Sequence, residues 1–471
     1  MSTENCELGM VGLGVMGRNL LLNMADHGHT VAGYDKDQSK VDALRSESNS
    51  RSVRPAKDPA SMVAALRKPR TVMLLVPAGP IVDHVIEELR PLLAAGDLII
   101  DGGNSRFTDT DRRAEAMERD GIHYIGMGVS GGEQGARHGP SIMPGGSREA
   151  YARVRSLFED VAAHVDGDPC VTFLGPRSAG HYVKMVHNGI EYGVMQLIAE
   201  TYDIMRRGLG FGNDQLQGVY QRWNETELRG FLIEITADIF EHTDERTGQR
   251  LIDVILDEAR QKGTGTWTSQ DAMELQCPTP TIDAAVTARD LSGLGVLRRD
   301  VSGRYPVPEA SFPGDSTMWI ERLRSALYTA MIITYAQGLS LLRSASDKYK
   351  YNVSLEDVAR IWRAGCIIRA ALLEDIRNAY RAAPDLSSLL LDDHIGRRLT
   401  KHESALREVV GQAGRAGIPA PAMMASLAYF DGLCSRRLPA NLIQAQRDCF
   451  GSHTYERVDF EGTFHTQWRQ G

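Results

Sequence analysis

The chain has 471 residues, 42% hydrophobic and 24% charged, a globular composition too long for one ordinary core and pointing to two or three domains. Its formal net charge of −8 argues against a general nucleic-acid binder, which needs a basic footprint on the phosphate backbone. No run approaches the roughly 20 apolar residues that span a bilayer, and MSTENCELGM lacks the apolar core of a signal peptide, so the chain reads as cytoplasmic.

Six cysteines (Cys6, Cys170, Cys277, Cys366, Cys434, Cys449) form no CxxC pair, and the 13 histidines form no HxxxH template. Neither a disulfide framework nor a metal site is expected.

In residues 1–177 short apolar runs alternate with helical patterns. Leu8 to Val11, Thr30 to Tyr34, Thr71 to Val76, Leu98 to Ile100, Tyr124 to Val129 and Val171 to Leu174 read as strands, implying a mainly parallel, doubly wound Rossmann-type sheet. Gly12, Gly14 and Gly17 spell GxGxxG between the first strand and the next helix. With Leu13, Val15 and Met16 they form a turn that admits a pyrophosphate at a helix N-terminus. Asp35 closes the second strand about 20 residues further on, where an acid accepts from ribose hydroxyls and repels a 2′-phosphate. NAD is therefore expected over NADP. Lys36 could pair with a 2′-phosphate, but it lies between Asp35 and Asp37. Three further turns fall at strand ends, where such sheets bind ligands: Val76-Pro77-Ala78-Gly79-Pro80, Asp101 to Ser105 with Asn104, and Ser130-Gly131-Gly132. Each alone would read as ordinary turn chemistry.

Ser178 to Arg207 reads as one long helix. Val183, Val186, Ile190, Val194 and Leu197 make an apolar stripe, and Lys184, Asn188 and Glu191 share a polar face flanked by His187 and Tyr192. A solvated ion pair would be the ordinary reading. In a buried helix, however, a lysine and a glutamate acquire shifted pKa values suited to proton transfer.

Helical periodicity dominates residues 178–436, with an internal echo. Leu216, Val219 and Trp223 match Leu355, Val358 and Trp362, and Leu228-Arg229 is answered by Ile368-Arg369. The repeat is about 140 residues, and Tyr328 to Arg343 corresponds to the helix carrying Glu191. There the second copy has Tyr and Thr, so only the first keeps catalytic groups. Gln261 to Trp267 contains Lys262-Gly263-Thr264-Gly265, a loop able to hold a phosphate, and Arg289 follows in a helical segment. Residues 437–471 end in an aromatic tail bearing Tyr455, Phe460, Phe464 and Trp468, expected to dock on its own subunit or a partner.

With these residues assembled, the chain resembles the long-chain 6-phosphogluconate dehydrogenases of the β-hydroxyacid dehydrogenase group over nearly its whole length. The resemblance rests on GLGVMG, DGGNS, GVSGGEQGARHGPSIMPGG, KMVHNGIEY, QKGTGTW and ANLIQAQRDCFGSHTYER. It implies oxidative decarboxylation of 6-phosphogluconate to ribulose 5-phosphate in the pentose phosphate pathway, with Lys184 as general base and Glu191 as general acid. Asn104, Ser130, Gly131, Gly132, His187, Asn188, Tyr192, Lys262 and Arg289 match the substrate positions. Arg447 and His453 match tail residues that, in this family, enter the active site of the other subunit of a homodimer. Two departures bear on the cofactor. The NADP-dependent members carry Asn-Arg-Thr where this chain has Asp35-Lys36-Asp37, and Pro77 replaces a usual lysine. Both favour NAD. An unphosphorylated hydroxyacid substrate, or a silent cofactor sensor, remain the alternatives; the first leaves KGTG, Arg447 and His453 without a role.

Overall fold

A computed structural model describes residues 5–468 apart from 50, 307 and 309; the ends of the expected first domain and tail, 1–4 and 469–471, lie outside the described residues. Seven strands form one sheet: β1 Leu8–Val11, β2 Val31–Tyr34, β3 Val53–Pro55, β4 Thr71–Leu74, β5 Leu98–Asp101, β6 His123–Ser130 and β7 Ser141–Gly146. Their order is β3-β2-β1-β4-β5-β6-β7, parallel throughout except for the antiparallel β6–β7 pair. The order reverses between β1 and β4, which opens a crevice at the strands' carboxyl ends. Leu8, Met10, Val31, Met73, Leu98 and Ile100 are fully buried, as expected of a sheet covered on both faces.

Two strands of this sheet were not expected and one expected strand is absent. β3 is short, and β7 reads SIMPGG, whose proline and glycines disguise it. Val171 to Leu174 runs alongside β7 with a single bridge, Val171 to Ile142. Cys170 O accepts from Ile142 N and Pro144 O from Leu174 N, but Pro144 has no N–H to continue the ladder.

The helices that matter for the site are α1 Val15–Asp26, α2 Ala179–Asp203, α3 Asn213–Trp223, α4 Phe231–Glu241, α5 Thr264–Glu274, α6 Pro280–Ser292, α7 Ser316–Tyr349, α8 Leu355–Ile361, α9 Leu372–Ala382, α10 Pro421–Cys434 and α11 Ala440–Gly451. The long helix stops at Asp203 and unwinds into a π-helical turn over Ile204–Gly208. Its stripe Val183, Val186, Ile190, Val194 and Leu197 is buried as expected. It packs on α7, where Gly193 lies against Thr334 and Gly338 against Ile190. By length and composition α7 could cross a membrane, yet 89% of its apolar window is buried inside the fold.

The duplication is visible as α2-α3-α4 and α7-α8-α9. The two copies meet at a bridge between Gly230 and Ala370, where Phe231 N donates to Arg369 O and Ala371 N to Arg229 O. These bonds exchange equivalent positions, so a local two-fold axis passes between them.

The tail is folded rather than irregular. After α11, Tyr455–Glu456 and Thr463–Phe464 pair as a short antiparallel hairpin. All six cysteines are free thiols, and the described residues contain no cluster of metal-ligating side chains.

Candidate active site

The glycine turn lies at the crevice between β1 and β4. Gly12 takes a φ of +101°, and a Cβ there would lie 2.4 Å from Leu75 O, so the chain can turn only with glycine. Gly14 caps α1 without a side-chain bond, leaving the first N–H groups of α1 open to an anion. Asp35 Oδ2 accepts from Leu13 N at 2.8 Å and Oδ1 from Asp37 N at 2.9 Å. The acid is thereby fixed beside the turn with lone pairs left for ribose hydroxyls. This cradle fits a dinucleotide. Val76, Pro77 and Ala78 follow β4 across the crevice, with Val76 against Gly12. Lys36 is exposed, and Lys40 Nζ stands 3.5 Å from Asp35 and 4.0 Å from Asp37.

The Asp101 carboxylate organises the next loop, accepting from Gly103 N (3.1 Å), Ser105 Oγ (2.6 Å) and Tyr124 OH (3.0 Å). Arg113 bonds Ser105 Oγ from behind. Asn104 is left exposed at the rim.

α2 packs along β6, with Gly126 beside His181 and Gly128 beside Lys184, and so brings its polar face to Ser130 at the strand's carboxyl end. Lys184 Nζ donates to Asn188 Oδ1 at 2.7 Å and lies 3.3 Å from His187 Nδ1. His187 Nδ1 is also 3.1 Å from Asn188 Oδ1, and its Nε2 is 3.3 Å from Ser130 Oγ. Glu191 stands 3.8 Å from His187. Lys184 is 5% exposed; burial lowers its pKa, and the Glu191 charge opposes that only in part. Burial likewise raises Glu191, against Lys184 and Arg289. His187 is pushed well below its ordinary value by burial and by the lysine, so it stays neutral. The face thus combines a lysine biased to lose its proton with a carboxyl biased to keep one.

The loop at Lys262 leads into α5. Gly263 is left-handed with φ +94°, and Gly265 lies directly on the Tyr192 ring. The Arg289 guanidinium covers the same ring at 3.4 Å. Gly265 and Arg289 therefore flank Tyr192, one turn from Asn188, while Lys262 is exposed at the start of the loop. Gly131 and Gly132 follow Ser130 with φ of +121° and +62°. Arg447 and His453 sit on the exposed tail, where α11 packs chiefly on its own hairpin. The structure brings the glycine turn, Asp35, Ser130 and the polar face of α2 to the crevice, with Arg289 on Tyr192, and leaves Arg447 and His453 on the tail.

Residues 180–468 match the C-terminal domain model of 6-phosphogluconate dehydrogenase, and 7–175 the NAD binding domain model of the same enzyme. The decarboxylating 6-phosphogluconate dehydrogenase of Synechococcus elongatus is 49% identical, covering 98% of this chain and 99% of its own length. The chain belongs to this family. The NADP(+)-dependent enzyme of Bacillus subtilis is 47% identical, over 98% of this chain and 99% of its own. The Plasmodium falciparum 6-phosphogluconate dehydrogenase, solved apo, with its cofactor NADP+ and with its substrate 6-phosphogluconate, superposes with a TM-score of 0.95 at 44% identity. It covers 98% of this chain and 100% of its own. These likenesses favour the 6-phosphogluconate dehydrogenase reading over an unphosphorylated hydroxyacid.

In this family member several supports of the site escaped the sequence reading. A Cβ at Gly128 would lie 2.4 Å from Lys184 Cβ, so glycine on β6 is what lets the lysine stem pass. The Trp362 ring meets His187 edge-on at 5.5 Å. Lys40 was also missed, although its place one turn after Asp35 on a helical pattern was a usable signal.

Proposed function

We propose that the chain oxidises and decarboxylates 6-phosphogluconate to ribulose 5-phosphate and carbon dioxide with NAD as preferred acceptor. The observation that carries the reading is the hydrogen-bonded Lys184, His187, Asn188 cluster beside Glu191, at the mouth of a dinucleotide crevice. Bound nicotinamide supplies the hydride acceptor. Neutral Lys184 takes the proton of the hydroxyl on the substrate's third carbon as hydride leaves that carbon. The resulting 3-keto acid loses carbon dioxide while protonated Lys184 donates a hydrogen bond to the developing enolate oxygen. Glu191 then protonates the first carbon, and the enediol becomes the ketose. Ser130, Gly131, Gly132, Asn104, His187 and Asn188 orient the carboxylate and hydroxyls. Tyr192, Lys262, Arg289, Arg447 and His453 hold the phosphate.

The acidic turn supports NAD. A 2′-phosphate would meet Asp35 and Asp37, and Lys40 is already paired with both. The Bacillus subtilis relative is an NADP(+)-dependent enzyme, so the cofactor is where this chain is expected to part from it. Initial rates of nicotinamide reduction with 6-phosphogluconate, run in parallel with NAD and NADP, test it. NAD should win clearly; an NADP preference would mean that Lys36 and Lys40 outweigh the carboxylates.

The same reading divides the chain at 177 and 436 and takes a cytoplasmic homodimer in which residues 437–471 complete the partner's site. Supporting it, the tail exposes Leu442, Ile443, Phe450, Val458 and Phe460 by 60% or more each. Such apolar surface on a folded arm calls for a cover.

A further inference from the structure

Asp448 sits between the tail's two candidate phosphate ligands in sequence, and its side chain is 1% exposed. The carboxylate is fully enclosed by donors. Oδ1 accepts from Thr454 N (2.9 Å) and faces His465 Nδ1 (2.9 Å); Oδ2 accepts from Thr466 N (3.0 Å) and Trp468 Nε1 (2.8 Å). Burial alone would raise this carboxyl, but the His465 ring and the three N–H donors outweigh it and hold it well below the usual carboxylate range.

Asp448 holds both ends of one turn, its carboxylate through Thr454 N and its backbone carbonyl through Ser452 N at 2.9 Å. Ser452 and Thr454 are left-handed, with φ of +52° and +62°, a conformation that non-glycine residues hold only when their surroundings impose it. His453 lies between them. Its ring rests over Gly451 and meets Phe450 edge-on at 5.8 Å. On the other side Gln444 Nε2 donates to Thr454 O at 2.6 Å, while Gln444 Oε1 accepts from Arg447 at 3.0 Å. Arg447 and His453 are thus fixed relative to each other through Asp448, Gln444 and the 452–454 turn.

We propose that Asp448 is a positioning residue for 6-phosphogluconate, folding the tail into one rigid unit that presents Arg447 and His453 together to the substrate's phosphate. The proposal rests on the reading of Arg447 and His453 as phosphate ligands. It adds that their pairing is built by a residue that touches no substrate. Rigidity of this kind lowers the ordering cost of binding, so its loss falls on KM rather than on the chemical step.

The test is steady-state kinetics of the full-length protein carrying Asp448→Asn, Arg447→Ala and both, with oligomer mass by light scattering. Asp448→Asn should raise KM for 6-phosphogluconate about tenfold, as expected for losing charge-assisted bonds, with kcat and KM for NAD changed less than about twofold. In the Arg447→Ala background it should add about threefold, less than its effect in the wild type, because only the share acting through His453 remains. Full additivity, or a loss of kcat or of oligomer mass without a KM change, would overturn the proposal. So would an Arg447→Ala variant with raised KM beside an unaffected Asp448→Asn, which spares the phosphate reading. An unchanged KM in Arg447→Ala itself would remove that reading and the proposal with it. Should Asp448→Asn fail to fold, Trp468→Phe removes one donor and keeps the ring; its KM should rise about threefold, and no rise overturns the proposal.

Discussion

Replacing Lys184 with Met separates chemistry from packing in this site. The methionine stem matches the lysine in length and still passes Gly128. Asn188 Oδ1 loses the amine at 2.7 Å but retains His187 at 3.1 Å, so no buried acceptor is orphaned. Removing an amine that burial already pushes toward neutrality relieves a desolvation cost. Stability should move by no more than about 1 kcal/mol. Loss of a positioned general base costs about 10²- to 10⁴-fold in rate. Single-turnover absorbance of reduced nicotinamide at saturating 6-phosphogluconate measures the rate, and cofactor fluorescence and thermal melting supply the controls. Lys184→Arg makes the test sharper, because a guanidinium does not become neutral and should be as inactive as methionine despite its charge. An arginine variant retaining more than about a tenth of the wild-type rate would refute the neutral-base reasoning. The pH profile carries the same logic. Turnover needs Lys184 neutral and Glu191 protonated, so activity should fall on both sides of an optimum lying between the ordinary carboxyl and lysine ranges, because burial moves the two groups toward each other.

Exchanging Asp35-Lys36-Asp37 for Asn-Arg-Thr should raise kcat/KM with NADP by about tenfold to about a hundredfold, the worth of one bidentate guanidinium contact, and an unchanged NADP rate would dissociate the turn from selectivity. Gly128→Ala drives a methyl into the Lys184 stem; it should cost about 1–3 kcal/mol in denaturant unfolding and lower kcat, and a variant with normal kcat would show that α2 can move aside freely. Glu200, 2% exposed, accepts from Ala422 N and Met423 N at the start of α10, yet burial raises its pKa from 4.5 to about 7. Between those values the folded state holds the extra proton, so this group makes stability fall as pH rises, by roughly 3 kcal/mol at most. Glu200→Gln should flatten that slope in melting curves across pH 4.5 to 7, whereas parallel curves would mean that the two amide donors cancel the burial.

What was legible in the sequence was local. GxGxxG, Asp35 and the 3.6-residue stripe of α2 are written within one turn or one helix, and the structure places them as read. β7 was hidden because Pro144 and two glycines contradict strand propensity, and its antiparallel pairing with β6 is what makes it a strand of the sheet. Val171 to Leu174 had the better strand composition, but the ladder it needed ends at that same proline. The tail looked irregular since nothing in its spacing announces Asp448 as a hub. Four donors from Thr454, His465, Thr466 and Trp468 supply the order that periodicity lacks.

The duplication explains how a pair of like helical units yields one active site. Repeat contacts across the local two-fold axis are symmetric in the backbone, Phe231 to Arg369 and Ala371 to Arg229, but the side chains are not. In the first copy Trp223 packs on Tyr220 within its own unit. Its counterpart Trp362 instead turns its edge to His187 of the first copy. The segment after it continues across: Gly365 O accepts from Ser141 N on β7 and blocks any side chain at Gly131, and buried Cys366 lies within the field of Lys184. Leu323, Leu327 and Ala330 on α7 are buried in the core, so that helix contributes packing where α2 carries its polar face. The second copy thus supplies part of the apolar wall against which His187 and Lys184 are buried, through Trp362 and Cys366. A lysine lowered by burial requires such a wall on the side away from substrate, and here β6, through Gly128, and the second copy build it together.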